Sequence, residues 1–295
     1  MQSVARAEDR PPLDTIAQAF DRTLALVGGA DGRFEAPRQL QSWPRIVHGG
    51  CLVALVDDAA ARLGGVTGRR RIDGRLTSSV PTETALALRT ERGDGGLGVT
   101  ILQAGHTLTS GSVVDLPAAP AVANQWTGGS DGSSLPMSEH CLACGADNPL
   151  GLRATLSFDG EGVWVRLTPP VPWRAAGDRL HPALAPVLLD EVSWWLGALM
   201  MKQGGLTNRL SVSLHDPAAP FGPLVAAGRF AEVTPVDRKR TFWRTETTLR
   251  AASGALIASA AIVFRGGPDY SERQIPYFRS RTPPEIFRRM FPNYT

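Results

Sequence analysis

The 295-residue sequence lacks the features that mark secreted and membrane proteins. Its N-terminal residues contain no apolar run of the kind a secretory signal needs. The most apolar long stretch, residues 182–201, is interrupted near its middle by Asp190 and Glu191, where charge is most costly in a bilayer. Cysteines are too few for a disulfide framework, since there are only three: Cys51, Cys141 and Cys144. These shortages predict a cytoplasmic protein without a membrane-spanning segment.

Lysine is scarce as well, with only Lys202 and Lys239 among 31 cationic residues. The formal net charge of +3 is small, and no basic stripe interleaved with aromatic residues occurs, so nucleic acid is not an expected partner. The 43% hydrophobic content is typical of a globular protein with a sizeable core. The length favours two packed units over one.

Two helix-then-strand patterns follow one another along the chain. Apolar residues at helical spacing predict a helix over residues 13–27 and another from His48, which Gly64 and Gly65 end. From Arg75 to Leu116 short β-rich runs are separated by Gly, Asp and Ser, as in antiparallel strands. The sequence therefore begins with an α+β unit.

The same order of elements returns after a stretch rich in Ala, Pro, Gly and Ser. A second apolar helix follows His181, and strand-like runs follow that helix. A repeat of well over 100 residues indicates duplication of a whole domain, and the two copies should pack as a pseudo-dimer. The predicted division is an N-terminal helical extension, a first unit, a linker, a second unit and a C-terminal tail on the surface: residues 1–30, 31–118, 119–137, 138–266 and 267–295.

A matched spacing of His and Asp occurs at the start of both predicted helices. His48 is followed nine positions later by Asp57, and His181 is followed at the same spacing by Asp190. Acids within an apolar helix face are costly to bury without purpose, so both aspartates are candidate catalytic residues. Their neighbours Asp58 and Glu191 are expected to face solvent.

The glycines after His48 suggest how such an acid could act. Gly49 and Gly50 begin a helix, where unpaired N–H groups and the positive end of the dipole can polarise a carbonyl oxygen. Asp57 lies roughly 12 Å further along that helix, so the partner should be Asp190 from a second helix running antiparallel. In the reciprocal pair, Asp57 would face Pro182, which has no N–H to donate. One competent and one degraded site are expected.

Three segments resemble a known family. HGGCLVALVDD, from His48, is similar to the HGG-then-acid helix of hotdog-fold thioesterases related to the phenylacetate-pathway type. HCLACGADNPLGLRATLSF, from His140, resembles the CxxCGxxNPxGL segment common in that group, and the strand runs from Arg209 resemble its sheet. The resemblance implies an α+β double hotdog, in which each unit wraps an antiparallel sheet around a long central helix. It covers about residues 31–266.

The resemblance also implies an activity, which is hydrolysis of an acyl thioester carried by coenzyme A or an acyl carrier protein. It points to Asp190 as base or nucleophile, to Gly49 or Gly50 as the carbonyl-polarising backbone and to Asp57 in the second site. Neither a metal nor a redox cofactor is expected, and the fused pair can stand alone or form a homodimer. Two alternatives stay open: hydration or dehydration of an acyl thioester, and non-catalytic binding of acyl-CoA.

Other motifs allow two interpretations each. Cys141 and Cys144 have the spacing of half a zinc knuckle, but tetrahedral coordination needs two more ligands that the sequence does not supply nearby. Trp194 and Trp195 either pack their helix on the sheet or line an acyl tunnel. Further substrate-binding candidates are His48 and the basic run of a predicted turn, which is either solvated or a cradle for coenzyme A phosphates: Arg238, Lys239 and Arg240.

Overall fold

The computed structural model describes residues 12–24, 31–93, 96–116 and 126–294. The described residues form an α+β protein with one large antiparallel sheet and five helices. The helices, in chain order, are α1 (Ile16–Leu24), α2 (Gly49–Gly64), α3 (Leu184–Met201), α4 (Pro268–Arg279) and α5 (Pro284–Met290).

The first half of the chain supplies one end of the sheet. Its strands are β1 (Asp31–Phe34), β2 (Arg70–Leu76), β3 (Leu86–Gly93), β4 (Gly96–Gln103) and β5 (His106–Asp115), arranged in the order β1-β3-β4-β5-β2. Strands β3 to β5 are joined as consecutive antiparallel neighbours. The predicted run of antiparallel strands is confirmed.

The second half continues the same sheet. Its principal strands are β8 (Gly162–Leu167), β11 (Gly205–Leu214), β12 (Leu224–Arg229), β14 (Phe242–Ala251) and β15 (Leu256–Gly266). The second half also contains five short strands: β6 (Ser133–Ser134), β7 (Ser157–Phe158), β9 (Arg174–Ala175), β10 (Arg179–Leu180) and β13 (Thr234–Pro235). Pairing runs β11-β15-β14-β12-β8-β7-β6, with β13 on β14, while β9 and β10 form a separate ribbon.

The two halves meet where β2 pairs with β11. This pairing is antiparallel and extends from Arg70↔Leu214 to Arg75↔Arg209. Each of these strands is the first to follow the central helix of its half. The sheet is therefore continuous across the boundary between the halves.

The helices α2 and α3 lie on this sheet and against one another. Helix α2 packs on β2, β4 and β5, and α3 packs on β8, β11, β12, β14 and β15. The predicted stop of α2 is confirmed, because Gly65 caps it in the left-handed conformation with φ of 70°. Helix α3 is long and apolar enough to cross a membrane by length and composition, but 78% of it is buried inside the protein.

Both ends of the chain differ from the sequence prediction. Helix α1 is shorter than the predicted helix, and Val27 lies outside the described residues. The predicted C-terminal tail forms α4 and α5, and its residues Phe278, Met290 and Phe291 are buried. The Phe278 ring contacts Trp43 of the first half as well as Trp195 of the second.

The predicted linker, residues 119–137, is also partly wrong. Residues 119–125 lie outside the described part of the chain, but the rest packs on the second half. The rings of Trp126 and Trp164 meet edge to face at 5.6 Å, and Ser133–Ser134 pairs as an edge strand with β7. Glycine lets the backbone lie close to the Trp164 ring, since a Cβ on Gly128 would lie 2.2 Å from that ring.

Candidate active site

The carboxylate of Asp190 lies at the junction of the two halves. It projects from α3 and is buried. Three polar groups contact it, two at the start of α2 and one on β11. The Gly50 N–H of α2 donates to its Oδ2 at 2.7 Å, and the Thr207 hydroxyl of β11 donates to its Oδ1 at 2.7 Å. His48 Nδ1 lies 3.4 Å from the same Oδ2. The structure thus brings the predicted Asp190 to the predicted helix start.

The two glycines at the start of α2 have different surroundings. A Cβ on Gly49 would lie 2.8 Å from Oδ2 of Asp190 and 3.2 Å from Leu76 Cδ2, so a side chain there would displace the carboxylate. A Cβ on Gly50 would lie 2.2 Å from the carbonyl oxygen of Pro186. Gly50 is needed because α3 crosses α2 there, and its N–H is occupied by Asp190. The Gly49 N–H has no hydrogen-bond partner among the described residues.

His48 and Glu191 form a second layer beside Asp190. His48 caps α2, with Nδ1 accepting from the Gly50 N–H at 3.1 Å, and its Nε2 lies 3.2 Å from Oε2 of Glu191. The Glu191 side chain is only 13% exposed, so the expectation that it faces solvent is wrong. Asp58 is more exposed than Glu191, and its Oδ2 pairs with Nε of Arg62 at 2.8 Å near the surface.

The cysteine segment from His140 reaches the same place. Its Cys141 thiol lies 3.9 Å from Oε2 of Glu191 and is buried. The segment is fixed to the first half because Asn148 Nδ2 donates to the Gln39 carbonyl at 2.8 Å and the Leu142 N–H donates to the Gln41 carbonyl at 2.8 Å. A turn between the halves therefore carries Cys141 to His48 and Glu191.

Burial and neighbouring groups shift the protonation equilibria of this cluster. Burial raises the pKa of Asp190, against the charge of His48 and the hydrogen bonds from Thr207 and Gly50, which lower it. Burial by itself would lower the pKa of His48, but Cys141, Glu191 and Asp190 raise it above its usual value. The hydrogen bond with Cys144 is the strongest influence on Cys141 and lowers the pKa of that thiol to about 6.

A cavity of about 400 Å³ opens beside these groups. Gly49, Asp190 and Thr207 line it on one side, together with His48 and Glu191. The lining also contains aromatic residues, of which the last two belong to the C-terminal helix α4: Trp43, Trp194, Trp195, Tyr277 and Phe278. Both predicted tryptophans of α3 are thus cavity residues. The cavity joins an apolar chamber to one polar corner, which is how small-molecule sites are commonly built.

The reciprocal position in the other half is built differently. Both carboxylate oxygens of Asp57 bond to the guanidinium of Arg70, at 2.5 and 2.7 Å, inside the core. Burial raises the pKa of Asp57 while Arg70 lowers it. The cavity beside His181 and Pro182 is only about 10 Å³ and is not lined by Asp57. The hydrogen bonds of Asp57 go to Arg70, and its placement against the Pro182 turn stays a prediction.

Helix α1 covers this reciprocal position. The Phe20 ring contacts the His181 ring edge to face at 5.7 Å, and Asp21 pairs with Arg62 of α2 at 2.6 Å. Burial lowers the pKa of His181 to about 4. The N-terminal helix therefore occupies the space that a second substrate would need.

The basic run forms an exposed turn between β13 and β14. Arg238, Lys239 and Arg240 do not line the cavity. Oδ1 of Asp237 accepts the N–H groups of Thr241 and Phe242, both at 2.9 Å, which fixes the turn. The guanidinium of Arg265 bridges the ring of Phe242, at 5.8 Å, and that of Tyr270, at 6.0 Å, and Tyr270 belongs to the cavity wall.

Several site residues have no sequence signal of their own. Thr207 is one of many Thr residues in strands, and Tyr277 and Phe278 lie in the segment predicted as a surface tail. Glu191 was visible only as the neighbour of Asp190. A signal for Cys141 did exist, since its spacing from Cys144 resembles half a metal site, but the sequence could not reveal its neighbours.

No protein-family model matches the sequence, and the search of curated proteins found no match. Solved structures do share its fold. A candidate thioesterase II from Thermobifida fusca YX is 16% identical, with a TM-score of 0.60 over 84% of this chain and 99% of its own. A protein of unknown function with a hot dog fold from Alicyclobacillus acidocaldarius is 14% identical, with a TM-score of 0.57 over 84% and 98%. An N-terminal dehydratase from the difficidin assembly line is 12% identical, with a TM-score of 0.54 over 81% and 90%. The chain therefore has the hotdog fold.

Proposed function

We propose that this hotdog-fold chain is a double hotdog that hydrolyses acyl thioesters at one composite site. The observation that carries the proposal is the placement of Asp190, from the second half, 2.7 Å from the Gly50 N–H at the helix start of the first half. Both helices border the same cavity. The likeness in fold to a candidate thioesterase II supports this reaction class.

In the proposed reaction the thioester carbonyl lies at the start of α2, with its acyl group in the aromatic chamber. The Gly49 N–H is the assigned donor to the carbonyl oxygen, because the Gly50 N–H already holds Asp190. Asp190 either takes a proton from water as the water oxygen bonds to the carbonyl carbon, or bonds to that carbon itself.

The products follow from the collapse of the tetrahedral intermediate. In the general-base route the C–S bond breaks as the carbonyl re-forms, and the proton held by Asp190 passes to the leaving sulfur. In the nucleophilic route the C–S bond breaks first to give an anhydride with Asp190, which water then cleaves. Either route yields one carboxylic acid and one thiol and consumes one water, without a redox partner.

Coenzyme A is the proposed carrier of the acyl group. Arg273 lines the cavity, and the chain of contacts from Tyr270 through Arg265 to Phe242 leads from the cavity wall to the basic turn. We therefore assign the phosphate groups of coenzyme A, which would lie outside the cavity, to the side chains of that turn: Arg238, Lys239 and Arg240. Arg and Lys form strong charge-assisted hydrogen bonds with phosphate. An acyl carrier protein presents a phosphate on the same kind of arm and is the alternative carrier.

The test is thiol release from a panel of short, long and aromatic acyl-CoA substrates. Asp190→Asn should lower kcat by at least about 100-fold while acyl-CoA still binds, because the residue acts on the reacting carbon. Asp58→Asn is the control, since Asp58 is an acid of the other central helix that pairs with Arg62 near the surface and does not line the cavity. Full turnover by Asp190→Asn, or no thiol release from any substrate by the wild type, would contradict the proposal.

Dehydration of a hydroxyacyl thioester is the second candidate. That reaction uses a His and Asp pair as acid and base, and His48 Nδ1 lies 3.4 Å from Oδ2 of Asp190. A solved dehydratase shares the fold. Hydration of an enoyl-CoA without thiol release, lost in both His48→Gln and Asp190→Asn, would favour this reaction over hydrolysis.

A further inference from the structure

Donor atoms from three distant parts of the chain converge beside the cavity. An imidazole nitrogen of His48, the sulfur of Cys141 and a carboxylate oxygen of Glu191 all lie within 4.8 Å of one another. They come from the cap of α2, the segment between the halves and the middle of α3. We propose that these three residues bind a zinc ion, with Cys144 as the fourth ligand.

The cysteine segment has the local form of a metal knuckle. Cys141 and Cys144 are separated by two residues, a spacing that recurs in structural zinc sites, and both are buried. Cys144 lies outside the group of three donors within 4.8 Å of one another, so its thiol must turn toward the ion to act as the fourth ligand. The Ala143 N–H donates to the sulfur of Cys141 at 3.4 Å, and the Gly145 N–H donates to the Cys141 carbonyl at 2.8 Å. The backbone N–H at Ala143 would stabilise a thiolate. The sequence identifies Cys141 and Cys144 as candidate ligands. The fold adds His48 and Glu191, which it brings next to Cys141.

The separations between donors fit tetrahedral coordination. Zinc bonds of about 2.0 Å to nitrogen and oxygen place those atoms about 3.3 Å apart, and a bond of about 2.3 Å to sulfur places sulfur about 3.5 Å from oxygen. The observed distances are 3.2 Å from His48 Nε2 to Glu191 Oε2 and 3.9 Å from Cys141 Sγ to the same oxygen. Both separations lie within a few tenths of an ångström of the tetrahedral values.

The second nitrogen of His48 also has a suitable partner. A metal-bound imidazole donates its other N–H to a carboxylate in many zinc sites. Here Nδ1 lies 3.4 Å from Oδ2 of Asp190. Zinc at Nε2 requires the tautomer with the proton on Nδ1. Nδ1 then gives up the hydrogen bond that it accepts from the Gly50 N–H and donates to Asp190, while the Gly50 N–H keeps its shorter bond to Asp190 Oδ2.

The chemistry of the donors selects the ion. Two sulfurs, one imidazole and one carboxylate suit zinc, whereas magnesium and calcium prefer oxygen ligands. Four protein ligands leave no position for a substrate, so the ion would be structural. It would fasten the cysteine segment to both central helices at the wall of the cavity, where its ligand His48 contacts the proposed catalytic Asp190.

Metal content of the full chain tests the site without any activity assay. Protein purified without chelators and supplied with Zn²⁺ should contain about one zinc per chain by mass spectrometry. Replacement by Co²⁺ should give the intense visible bands of a tetrahedral site and a thiolate charge-transfer band. Wild-type protein that is folded, takes up no zinc and shows no thiolate band with Co²⁺ would overturn the inference, whether or not it hydrolyses thioesters.

Four variants locate the ligands. Cys141→Ser and Glu191→Gln should lose the zinc, and Cys144→Ser should weaken its retention against a chelator. Cys51→Ala is the matched control, because it removes the remaining thiol of the chain and should keep one zinc. Unchanged zinc in Cys141→Ser overturns the site, and unchanged retention in Cys144→Ser overturns the fourth ligand. If a variant fails to fold, the Co²⁺ spectrum of the wild type still decides the matter.

Discussion

The hydroxyl of Thr207 donates to Oδ1 of Asp190 at 2.7 Å, while the backbone of Gly50 holds Oδ2 at the same distance. Each oxygen of the buried carboxylate is therefore fixed by a donor from a different element, β11 or α2. Two such anchors hold the carboxylate in one orientation toward the cavity, which is what a group acting on a bound carbonyl needs.

Thr207→Val should lower kcat for thiol release by about 10-fold with little change in KM. The substitution keeps the shape of the side chain but leaves Oδ1 without its donor, so Asp190 loses its position. Kinetics over a range of acyl-CoA concentrations measure both constants. Thr207→Ser restores the hydroxyl and should recover most of kcat, and a valine variant as fast as the wild type would refute the positioning role.

Gly49→Ala should reduce turnover by at least about 10-fold while the protein stays folded. The added methyl group would lie 2.8 Å from Asp190 Oδ2, so the carboxylate must move away from the helix start. Gly64→Ala is the control at the other end of α2, where the nearest atom is 3.7 Å from the new Cβ. Thermal melts and thiol release for both variants separate a displaced carboxylate from a general effect of alanine.

Arg70→Met should lower the free energy of unfolding by about 3–5 kcal/mol, because it leaves the Asp57 carboxylate buried without its partner. The double variant Asp57→Leu with Arg70→Met removes both charges and should recover part of the loss. Urea titrations of the wild type, both single variants and the double variant give the coupling energy. The same loss in the double variant as in Arg70→Met would contradict this account.

Phe278→Leu should shift substrate preference toward bulkier acyl groups. Its ring lies in the cavity wall, 4.9 Å from the Trp195 ring, so a smaller side chain enlarges the chamber. Phe291→Leu is the control, because Phe291 stacks on Phe278 at 6.0 Å but does not line the cavity. Relative kcat/KM across the acyl-CoA panel is the measurement, and equal shifts in both variants would show a stability effect only.

Acidification should destabilise the protein through His181. Burial lowers the pKa of His181 to about 4, whereas an unfolded histidine has a pKa of about 6.5, so the unfolded state binds a proton first as the pH falls. The stability contributed by the neutral ring is present above about pH 6.5 and is lost progressively toward pH 4, with up to about 2 kcal/mol gone at pH 5.

Urea titrations at pH 7.5 and pH 5 measure this effect. The difference between the two pH values should shrink in His181→Gln, which carries no titrating ring, and stay unchanged in His106→Gln, where the replaced side chain is exposed. A pH difference that His181→Gln leaves at its wild-type size would assign the acid sensitivity to other groups.

The sequence predicted those features that depend on local pattern or on repetition. Helix α2 was predictable because its apolar spacing and its terminal glycines are local signals. The meeting of Asp190 with the start of α2 was predicted from the repeated His-to-Asp spacing and from the expectation that the two helices run antiparallel side by side.

The remaining features arise from long-range packing that leaves no periodic trace. Thr207 faces Asp190 because of its register on β11, next to an irregularity in the pairing with β15. Arg70 neutralises Asp57 across 13 positions of sequence, which no spacing rule predicted. The described residues of the first half contain no helix after β5 that matches α4, so comparing the repeats could not place α4 on the cavity.

The pairing of β2 with β11 also has a consequence for how the protein can change. In an assembly of two identical subunits, every substitution is made twice, once at each site. In this chain a substitution changes one half only. The position after the matched histidine can therefore be Gly49 in the first half and Pro182 in the second, which carries Asp190. The covalent join thus lets the surroundings of Asp190 differ from the reciprocal position, where Phe20 of α1 packs on His181 and Arg70 pairs with Asp57.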